Sequence, residues 1–489
     1  MISRSYEVLV TDPSPGALIA ATLLAKEGHS VLVLGKPPRQ PATAGFRFLR
    51  HRPPVVGLGG GLLLKRSLKA LKFHPHELQA VRRGAPGLQV ITSRYRMDIP
   101  SSPAALYEEL RRDLPRDAEV IQDVINRCRA SAQSFADALD QAVEEAGQSG
   151  FLQQVGLARP GWSPPLPPAD VPTWGEFLDG VDLSEEGRAL LRALLRPFCA
   201  LDVVEDLPLP VAGIHLAAAL DGVYADPSEE DALLSLLVRR VKAMRVDVLD
   251  EHVVELTGNK RKIDGAVFQG RDDVMPLQWV ITGGDPEDLL PVLPGGNARQ
   301  YDKVLSRLAP SHFRYSIFLG VSSEVVPPDL AEHSILLGDD GEDVGGCLLM
   351  STTPESSPLA PEGRRAITVS TLLPYEDDGS LPTDLESVAG VMLDRVKWLL
   401  PWLERHLEVM QIPTSIEPTD TNPLVIDPRP AAYTPALAPA DDPVAAGLGV
   451  HMPHKNLFCA GPAAFPALGL GGESLAGRLV ERLALAGKR

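Results

Sequence analysis

The chain has 489 residues, of which 44 % are hydrophobic and 23 % are charged. This length and composition indicate a globular protein whose core is divided over two or three lobes, and they exclude the disordered, fibrous and membrane-spanning classes. Because 64 acidic residues outnumber 47 basic ones, the net charge is −17 and binding to nucleic acid is disfavoured.

The cysteines and the N-terminus bear on the location of the protein. Cys128, Cys199, Cys347 and Cys459 lack the spacing of a metal or redox motif. The first ten residues lead into a strand-like run and contain no apolar segment of an export signal. We therefore expect a cytoplasmic protein.

The first 34 residues predict a β-α-β unit. Apolar runs at 7–10 and 31–34 flank an Ala- and Leu-rich helical segment at 18–27, and Gly28 ends the helix. Two buried parallel strands around a helix begin a doubly wound α/β sheet.

The next part of the chain is mostly helical. Apolar residues at helical spacing predict one long amphipathic helix over 117–147. Six prolines in 159–173 exclude a helix or a central strand and mark a boundary. The pattern is then helical to about residue 221.

The second half predicts a second sheet. A helix at 230–244, a hairpin of 246–256 with 261–268, and a strand at 277–282 come first. Further short strands are predicted at 315–321, 334–337, 347–351 and 366–372. The remaining predicted segments are a helix at 383–406, a loop at 411–445, a strand at 457–460 and a helix from about 473.

Turns that follow these strands carry a family resemblance. Residues 44–47 follow the second strand, residues 280–286 contain a strand and a Gly-Gly-Asp-Pro turn, and residues 456–478 contain a strand, a Gly-rich turn and a helix. Together with the β-α-β unit they resemble the phytoene desaturase, carotenoid isomerase and amine oxidase group of FAD-dependent oxidoreductases. The resemblance covers essentially the whole chain. It implies a Rossmann-like FAD-binding domain and a substrate-type domain with a second sheet and helices.

The same resemblance divides the chain. The FAD-binding-type domain is expected to be discontinuous, over 1–100, 230–300 and 440–489. A mostly helical insertion is expected at 101–229, and the substrate-type domain at 301–439.

The family positions for the cofactor, FAD, are degenerate in this chain. The three glycines of the family's G-x-G-x-x-G turn correspond to Asp12, Ser14 and Ala17, and Gly35 stands where the family has an acidic residue that binds ribose. The resemblance implies a cofactor-binding set of Asp12, Ser14, Gly16, Ala17, Gly35, Arg47, Gly461, Gly469 and Gly472.

These departures weaken a dinucleotide site. A carboxylate at Asp12 repels each phosphate charge by roughly 3 kcal/mol at an effective dielectric constant of about 20. Pro13 and Pro15 remove two N–H donors, and Gly35 forfeits a charge-assisted hydrogen bond of about 1.5 to 3 kcal/mol. We expect FAD to be absent or weakly bound, although the C-terminal glycines are equally explained by a flavin or by close helix packing.

Three functions remain open. The first is a pseudoenzyme with a flavoprotein fold that binds a hydrophobic small molecule or a protein partner. The second is an active FAD-dependent desaturase, isomerase or oxidase with an atypical turn, and the third is an enzyme that uses another cofactor. The sequence identifies no catalytic residue.

Two other patterns are weighed against ordinary surface roles. Residues 62–74 carry Lys65, Arg66, Lys69 and Lys72 among leucines, which suits peripheral contact with an anionic membrane or simply a surface helix. The pairs His74-x-His76 and His451-x-x-His454 lack companion ligands, so no metal site is predicted.

Overall fold

The computed structural model describes residues 5–35, 42–48, 54–59, 62–79, 81, 87–147, 162, 164–168, 170–225, 229, 231–271, 273–295, 298–338, 347–418 and 424–486. Part of the Pro-rich boundary predicted at 159–173 therefore lies outside the described residues, and that boundary stays a prediction.

The strands of the described chain alternate with helices in its first half and follow one another in its second half. They are β1 (Val8–Val10), β2 (Val31–Leu34), β3 (Val55–Val56), β4 (Leu88–Ile91), β5 (Arg96–Asp98), β6 (Val223–Tyr224), β7 (Asp247–Leu249), β8 (Val253–Asn259), β9 (Lys262–Phe268), β10 (Met275–Pro276), β11 (Trp279–Thr282), β12 (Leu308–Ser322), β13 (His333–Leu337), β14 (Cys347–Thr352), β15 (Arg364–Pro374), β16 (Leu407–Gln411), β17 (Pro430–Pro435) and β18 (Leu457–Cys459).

The helices include the long amphipathic one predicted from the sequence. They are α1 (Pro15–Lys26), α2 (Leu64–Ala70), α3 (Pro75–Gln79), α4 (Pro103–Asp113), α5 (Ala118–Glu145), α6 (Trp174–Asp179), α7 (Glu185–Leu195), α8 (Leu209–Ala219), α9 (Ala232–Ala243), α10 (Ala298–Leu305), α11 (Leu385–Leu399), α12 (Leu403–His406) and α13 (Gly469–Ala486). Among the described helices, none has both the length and the apolar character that crossing a bilayer requires.

The first sheet is parallel and has the strand order β18-β11-β1-β2-β7. Its strands are short continuous apolar runs because they are buried, and α1 contacts both α9 and α13 beside them. This arrangement confirms the predicted α/β class with a Rossmann-like sheet.

The second sheet has the order β16-β12-β15-β14-β13-β4-β5, with β17 also paired to β12. It is antiparallel except where β13 pairs with β4. The four strands predicted between 315 and 372 are confirmed in it. The hydrophobic side chains of one face pack in a separate core with those of α11.

Several predicted limits were wrong, each for a local reason. Residues 247–249 leave the predicted hairpin, because α9 returns the chain to the edge of the first sheet, where they pair with β2. The helix predicted at 383–406 ends at Leu399, since Pro401 follows and lacks an N–H. The predicted loop 411–445 contains β17, and α13 begins at Gly469.

The sheets also divide the chain differently from the expected domain limit at residue 100. Strands β4 and β5, over 88–98, pair with β13 in the second sheet. The insertion contributes α5, which lies against α8 and buries an apolar stripe. Each of the two sheets therefore takes strands from both sides of residue 100, and the domain limits stay a prediction.

Candidate functional site

A cavity of about 490 Å³ lies beyond the carboxyl ends of β1, β2 and β11. This is the edge of a parallel α/β sheet where ligands bind in such folds, and the volume is that of a small-molecule site. The wall is completed by helix α8, by residues of the second sheet, by β17 and by the turn before α13.

The turn between β1 and α1 is closed by its own hydrogen bonds. The Ser14 hydroxyl accepts from the Ala17 N–H at 3.2 Å and donates to the Ala460 carbonyl at 3.2 Å. The Ser14 N–H donates to the Asp12 carbonyl at 3.1 Å. Pro15 occupies the first turn of α1 and, like residue 13, has no N–H. Four positions of the turn therefore offer no free N–H to a pyrophosphate, because residues 13 and 15 are prolines and the N–H groups of Ser14 and Ala17 are paired within the turn.

The Asp12 side chain lies at this same turn and lines the cavity. A Cβ added to Gly284 would lie 3.0 Å from the Asp12 carboxyl carbon, so the carboxyl group rests against the backbone after β11. Burial raises the pKa of Asp12, while Thr11 and Arg429 act in the opposite direction.

Gly35, after β2, lines the cavity in the left-handed region with φ +88°. Its N–H donates to the Leu249 carbonyl at 2.8 Å, and a Cβ would lie 3.2 Å from Pro13 Cδ. Gly35 itself has no side chain to bind ribose. The described residues of the ADP half of the site therefore do not fit FAD in the usual position.

The glycines at the C-terminal end are required by close packing. A Cβ on Gly461 would lie 2.4 Å from the Gly283 carbonyl oxygen, and one on Gly472 would lie 2.3 Å from the Phe465 carbonyl oxygen. At Gly469, which lines the cavity, it would lie 2.3 Å from the Phe198 carbonyl oxygen. These contacts explain the glycines without a flavin.

The remaining predicted site residues fall into two places. Gly16 and Ala17 are buried in the first turn of α1, where a Cβ on Gly16 would lie 2.1 Å from the Ala460 carbonyl oxygen. Arg47 is exposed, and its N–H donates to the Leu359 carbonyl at 2.7 Å, next to Phe46, which packs on the second sheet. The structure thus brings Asp12, Ser14, Gly35 and Gly469 together around the cavity and does not bring Arg47 to its wall.

Carboxylates line one end of the cavity. Asp12, Asp285 and Asp427 lie near Arg429, whose guanidinium donates to Asp427 at 2.8 Å. The carboxylates of Asp427, Asp12 and Asp288 all favour the charged guanidinium, which raises the pKa of Arg429. This end of the cavity is therefore acidic around one arginine.

Polar side chains of the second sheet line another part of the wall. Arg314 is 9 % exposed, and the His333 ring nitrogen Nδ1 lies 2.9 Å from the Ser351 hydroxyl. These residues were missed by sequence reasoning, as were Asp427 and Arg429 of the acidic end, whereas Asp12 was among the predicted site residues. The available signal was a charged residue, Arg314, inside the apolar pattern of a strand.

Burial disfavours the charged forms of several titratable groups near the cavity. Histidine 215, whose Nε2 lies 2.8 Å from the Ala467 carbonyl, has its pKa lowered by burial. Burial raises the pKa of Cys199 and Cys459 to about 12. The four cysteines are unpaired thiols. Because burial raises their pKa, they do not supply a thiolate nucleophile.

The histidine pairs occupy ordinary packing positions. The rings of His74 and His76 stack at 5.4 Å, and His454 Nδ1 lies 2.7 Å from the Tyr301 hydroxyl. Within the described ranges, no three His, Cys, Asp or Glu side chains are placed to hold a metal ion.

The basic segment 62–74 is folded onto the protein. Leu64 and Leu68 are buried in the main core. Arg66 pairs with Asp137 and donates to the Ala136 carbonyl. Lys65, Lys69 and Lys72 are exposed and form the part of the segment that faces solvent.

Comparison with known proteins agrees with this architecture. No family model matches the chain. Prolycopene isomerases from Arabidopsis thaliana and Daucus carota are 34 % and 33 % identical over 116 residues, which is 22 % of this chain but only 19 % and 18 % of those proteins.

Solved structures are similar over nearly the whole chain. An oxidoreductase from Methanosarcina mazei has a TM-score of 0.59 at 15 % identity, with 96 % of this chain and 98 % of that chain covered. Cyclohexylamine oxidase from Brevibacterium oxydans has a TM-score of 0.58 at 14 % identity, with 99 % of both chains covered. The resemblance to the phytoene desaturase and amine oxidase group is confirmed at the level of the fold.

Proposed function

We propose that this protein uses an oxidoreductase fold to bind a hydrophobic small molecule, without FAD in the usual position and without redox catalysis. The observation that carries the proposal is the turn between β1 and α1. There Ser14 takes the Ala17 N–H, Pro13 and Pro15 supply none, and the Asp12 carboxyl occupies the phosphate side. A flavin pyrophosphate would meet a negative charge in place of hydrogen-bond donors.

The composition of the cavity wall supports a hydrophobic occupant. Apolar side chains come from β3 and the segment after it, from α8, from the start of α9 and from the start of α13, including Val56, Leu63, Ile214, Leu233 and Leu470. A concave apolar wall with a few polar groups is the usual form of a small-molecule site.

Absorption of the purified protein tests the cofactor part. Protein isolated without added flavin should lack flavin absorption bands, and titration with FAD followed by gel filtration should not restore them. Purified protein with one bound flavin per chain would contradict the proposal and favour an active flavoenzyme.

The ligand part is tested with Nile red, an uncharged apolar dye whose fluorescence rises in a dry pocket. Ala218 lines the cavity on α8, so Ala218→Trp should fill it and remove most of the dye binding. Ala130, exposed on α5, gives the matched control Ala130→Trp, which should bind as the wild type does. Equal binding by all three proteins would contradict a ligand in this cavity.

A second candidate is an FAD-dependent desaturase, isomerase or oxidase with an atypical turn. Its support is the segment of 116 residues that is 34 % identical to prolycopene isomerase. The absorption experiment separates the two functions, since only this candidate requires bound flavin.

A further inference from the structure

We propose that the cavity binds an apolar carboxylate, with the carboxylate on Arg314 and the apolar chain along the wall formed by α8 and residues 55–64. This inference rests on the proposed function, because it names the chemical class of the hydrophobic ligand.

The face of the second sheet that lines the cavity carries polar side chains among apolar ones. Along β12, Phe313 and Tyr315 point into the core on the α11 side, so the alternation of a strand puts Arg314 and Ser316 on the opposite face. Ser316 pairs in register with Ser370 of β15. Buried sheet faces are ordinarily apolar, and a polar one inside the molecule indicates a polar ligand group.

Hydrogen-bonding capacity remains on this face. Ser316 is 5 % exposed, and its hydroxyl has no hydrogen-bond partner within the described part of the chain. His333 and Ser351 pair with each other on β13 and β14 and line the cavity with Arg314. The guanidinium of Arg314 matches the planar, two-oxygen geometry of a carboxylate.

The charged groups near Arg314 have the sign that attracts an anionic ligand group. Cys347 begins β14, and the charged groups that act on its thiol are two cations, Arg196 and Arg314, which lower the thiol pKa against the larger opposing effect of burial. The acidic end differs, because Asp12 and Asp285 raise the pKa of Asp288 there. An anionic head group is therefore favoured at Arg314 over the end lined by Asp12 and Asp285.

Three ten-carbon probes with different head groups test the inference: decanoate, decan-1-ol and decylamine, each below its micellar concentration. Their affinities are measured by displacement of Nile red. We expect decanoate to bind the wild-type protein about ten- to one-hundredfold more tightly than decan-1-ol, from a hydrogen-bonded charge pair. Arg314→Gln should remove that preference and leave decan-1-ol binding unchanged, while Arg314→Lys should retain part of it. Arg405→Gln, at a residue that stacks on Trp402 away from the cavity wall, should behave as the wild type does.

The outcomes separate the two proposals. If decan-1-ol and decanoate bind equally to the wild type, or if decylamine binds best, the carboxylate inference is overturned and the hydrophobic site stands. If none of the three displaces the dye, the carboxylate inference also fails, and the hydrophobic site is then judged by the Ala218→Trp comparison alone. The comparison of the three probes on the wild-type protein tests the carboxylate inference even if Arg314→Gln does not fold.

Discussion

The Ser14 hydroxyl accepts a hydrogen bond from the Ala17 N–H, 3.2 Å away, at the start of α1. This N–H is among those at a helix start that no carbonyl of the helix satisfies, and the same groups point at phosphate in dinucleotide sites. A cap of this kind stabilises a protein by about 0.5 to 2 kcal/mol. The same hydrogen bond therefore stabilises α1 and occupies an N–H that could otherwise bind a phosphate.

Opening this turn should create FAD affinity. In a variant with Asp12→Gly, Pro13→Ala, Ser14→Gly and Pro15→Ala, the carboxylate is removed and N–H donors are restored. Removing one repulsion of roughly 3 kcal/mol corresponds to about a hundredfold in affinity. Quenching of FAD fluorescence on titration measures the change. Gly35 is left unchanged, since its φ of +88° would strain any side chain placed there.

A second helix start provides the control. The Ser102 hydroxyl accepts from the Ala105 N–H at the start of α4, and Pro103 stands at the first turn. Ser102→Gly with Pro103→Ala removes the same kind of cap away from the cavity and should leave FAD affinity at the wild-type level. If the four-residue variant also stays at that level, the turn is not what limits FAD binding.

Asp12 should make stability depend on pH in a defined direction. Burial raises its pKa in the folded protein above the ordinary 3.8. The unfolded chain therefore ionises first as pH rises from about 3.8, and the fold is destabilised progressively until the raised pKa is passed. Asp12→Asn removes this penalty, so its urea unfolding midpoint should exceed that of the wild type at pH 7 and approach it near pH 4.

Asp182 serves as the comparison for that experiment, because its side chain is 92 % exposed. The urea unfolding midpoint of Asp182→Asn should equal that of the wild type both at pH 7 and near pH 4. A midpoint for Asp12→Asn that is equal to or below the wild-type value at pH 7 would contradict the assignment of Asp12 as a buried, costly carboxyl group.

The fold was predictable where periodicity and turns agree. Continuous apolar runs beside Gly28 gave β1, α1 and β2, and alternation gave the strands of the second sheet. The edge strand β7 was assigned to a hairpin, because three residues of intermediate exposure carry no signal for their distant partner β2. Local patterns predict that a strand exists better than which strand it pairs with.

The site was less predictable for the same reason. Asp12 and Gly35 stand at turns whose positions follow from the first β-α-β unit. Arg314, His333 and Ser351 come from three strands, and only the register of the second sheet brings them to one face. Strand alternation gives the face of each residue, but not its neighbours across strands.

Asp117 should be a stability residue that joins α5 to α7. It is 1 % exposed, and its carboxylate accepts from the Ser184 N–H at 3.0 Å and from the Ser184 hydroxyl. Asp117→Ala leaves two partly buried donors without that acceptor and should lower the free energy of unfolding by about 1 to 3 kcal/mol. Urea unfolding followed by circular dichroism measures the loss.

The matched change on the same helix is Asp123→Ala. Asp123 has a side chain that is 67 % exposed and pairs with Arg127 at 3.8 Å. Asp123→Ala should lower the free energy of unfolding by less than about 0.5 kcal/mol. Similar costs at the two positions would mean that the Ser184 contact contributes little.

The basic segment 62–74 should associate weakly with anionic membranes. Its leucines are buried and Arg66 is paired with Asp137, so attraction is left to Lys65, Lys69 and Lys72, at about 1 kcal/mol each near an anionic surface. We expect co-sedimentation with phosphatidylserine vesicles at low salt that disappears at physiological salt, because exposed charges are screened. Changing the three lysines to Gln should abolish it. Lys260, Arg261 and Lys262, exposed at the turn between β8 and β9, supply a control triple change to Gln of equal charge. Equal sedimentation of all three proteins would mean that the segment is an ordinary solvated surface. An equal loss in both triple variants would mean that net charge alone accounts for the association.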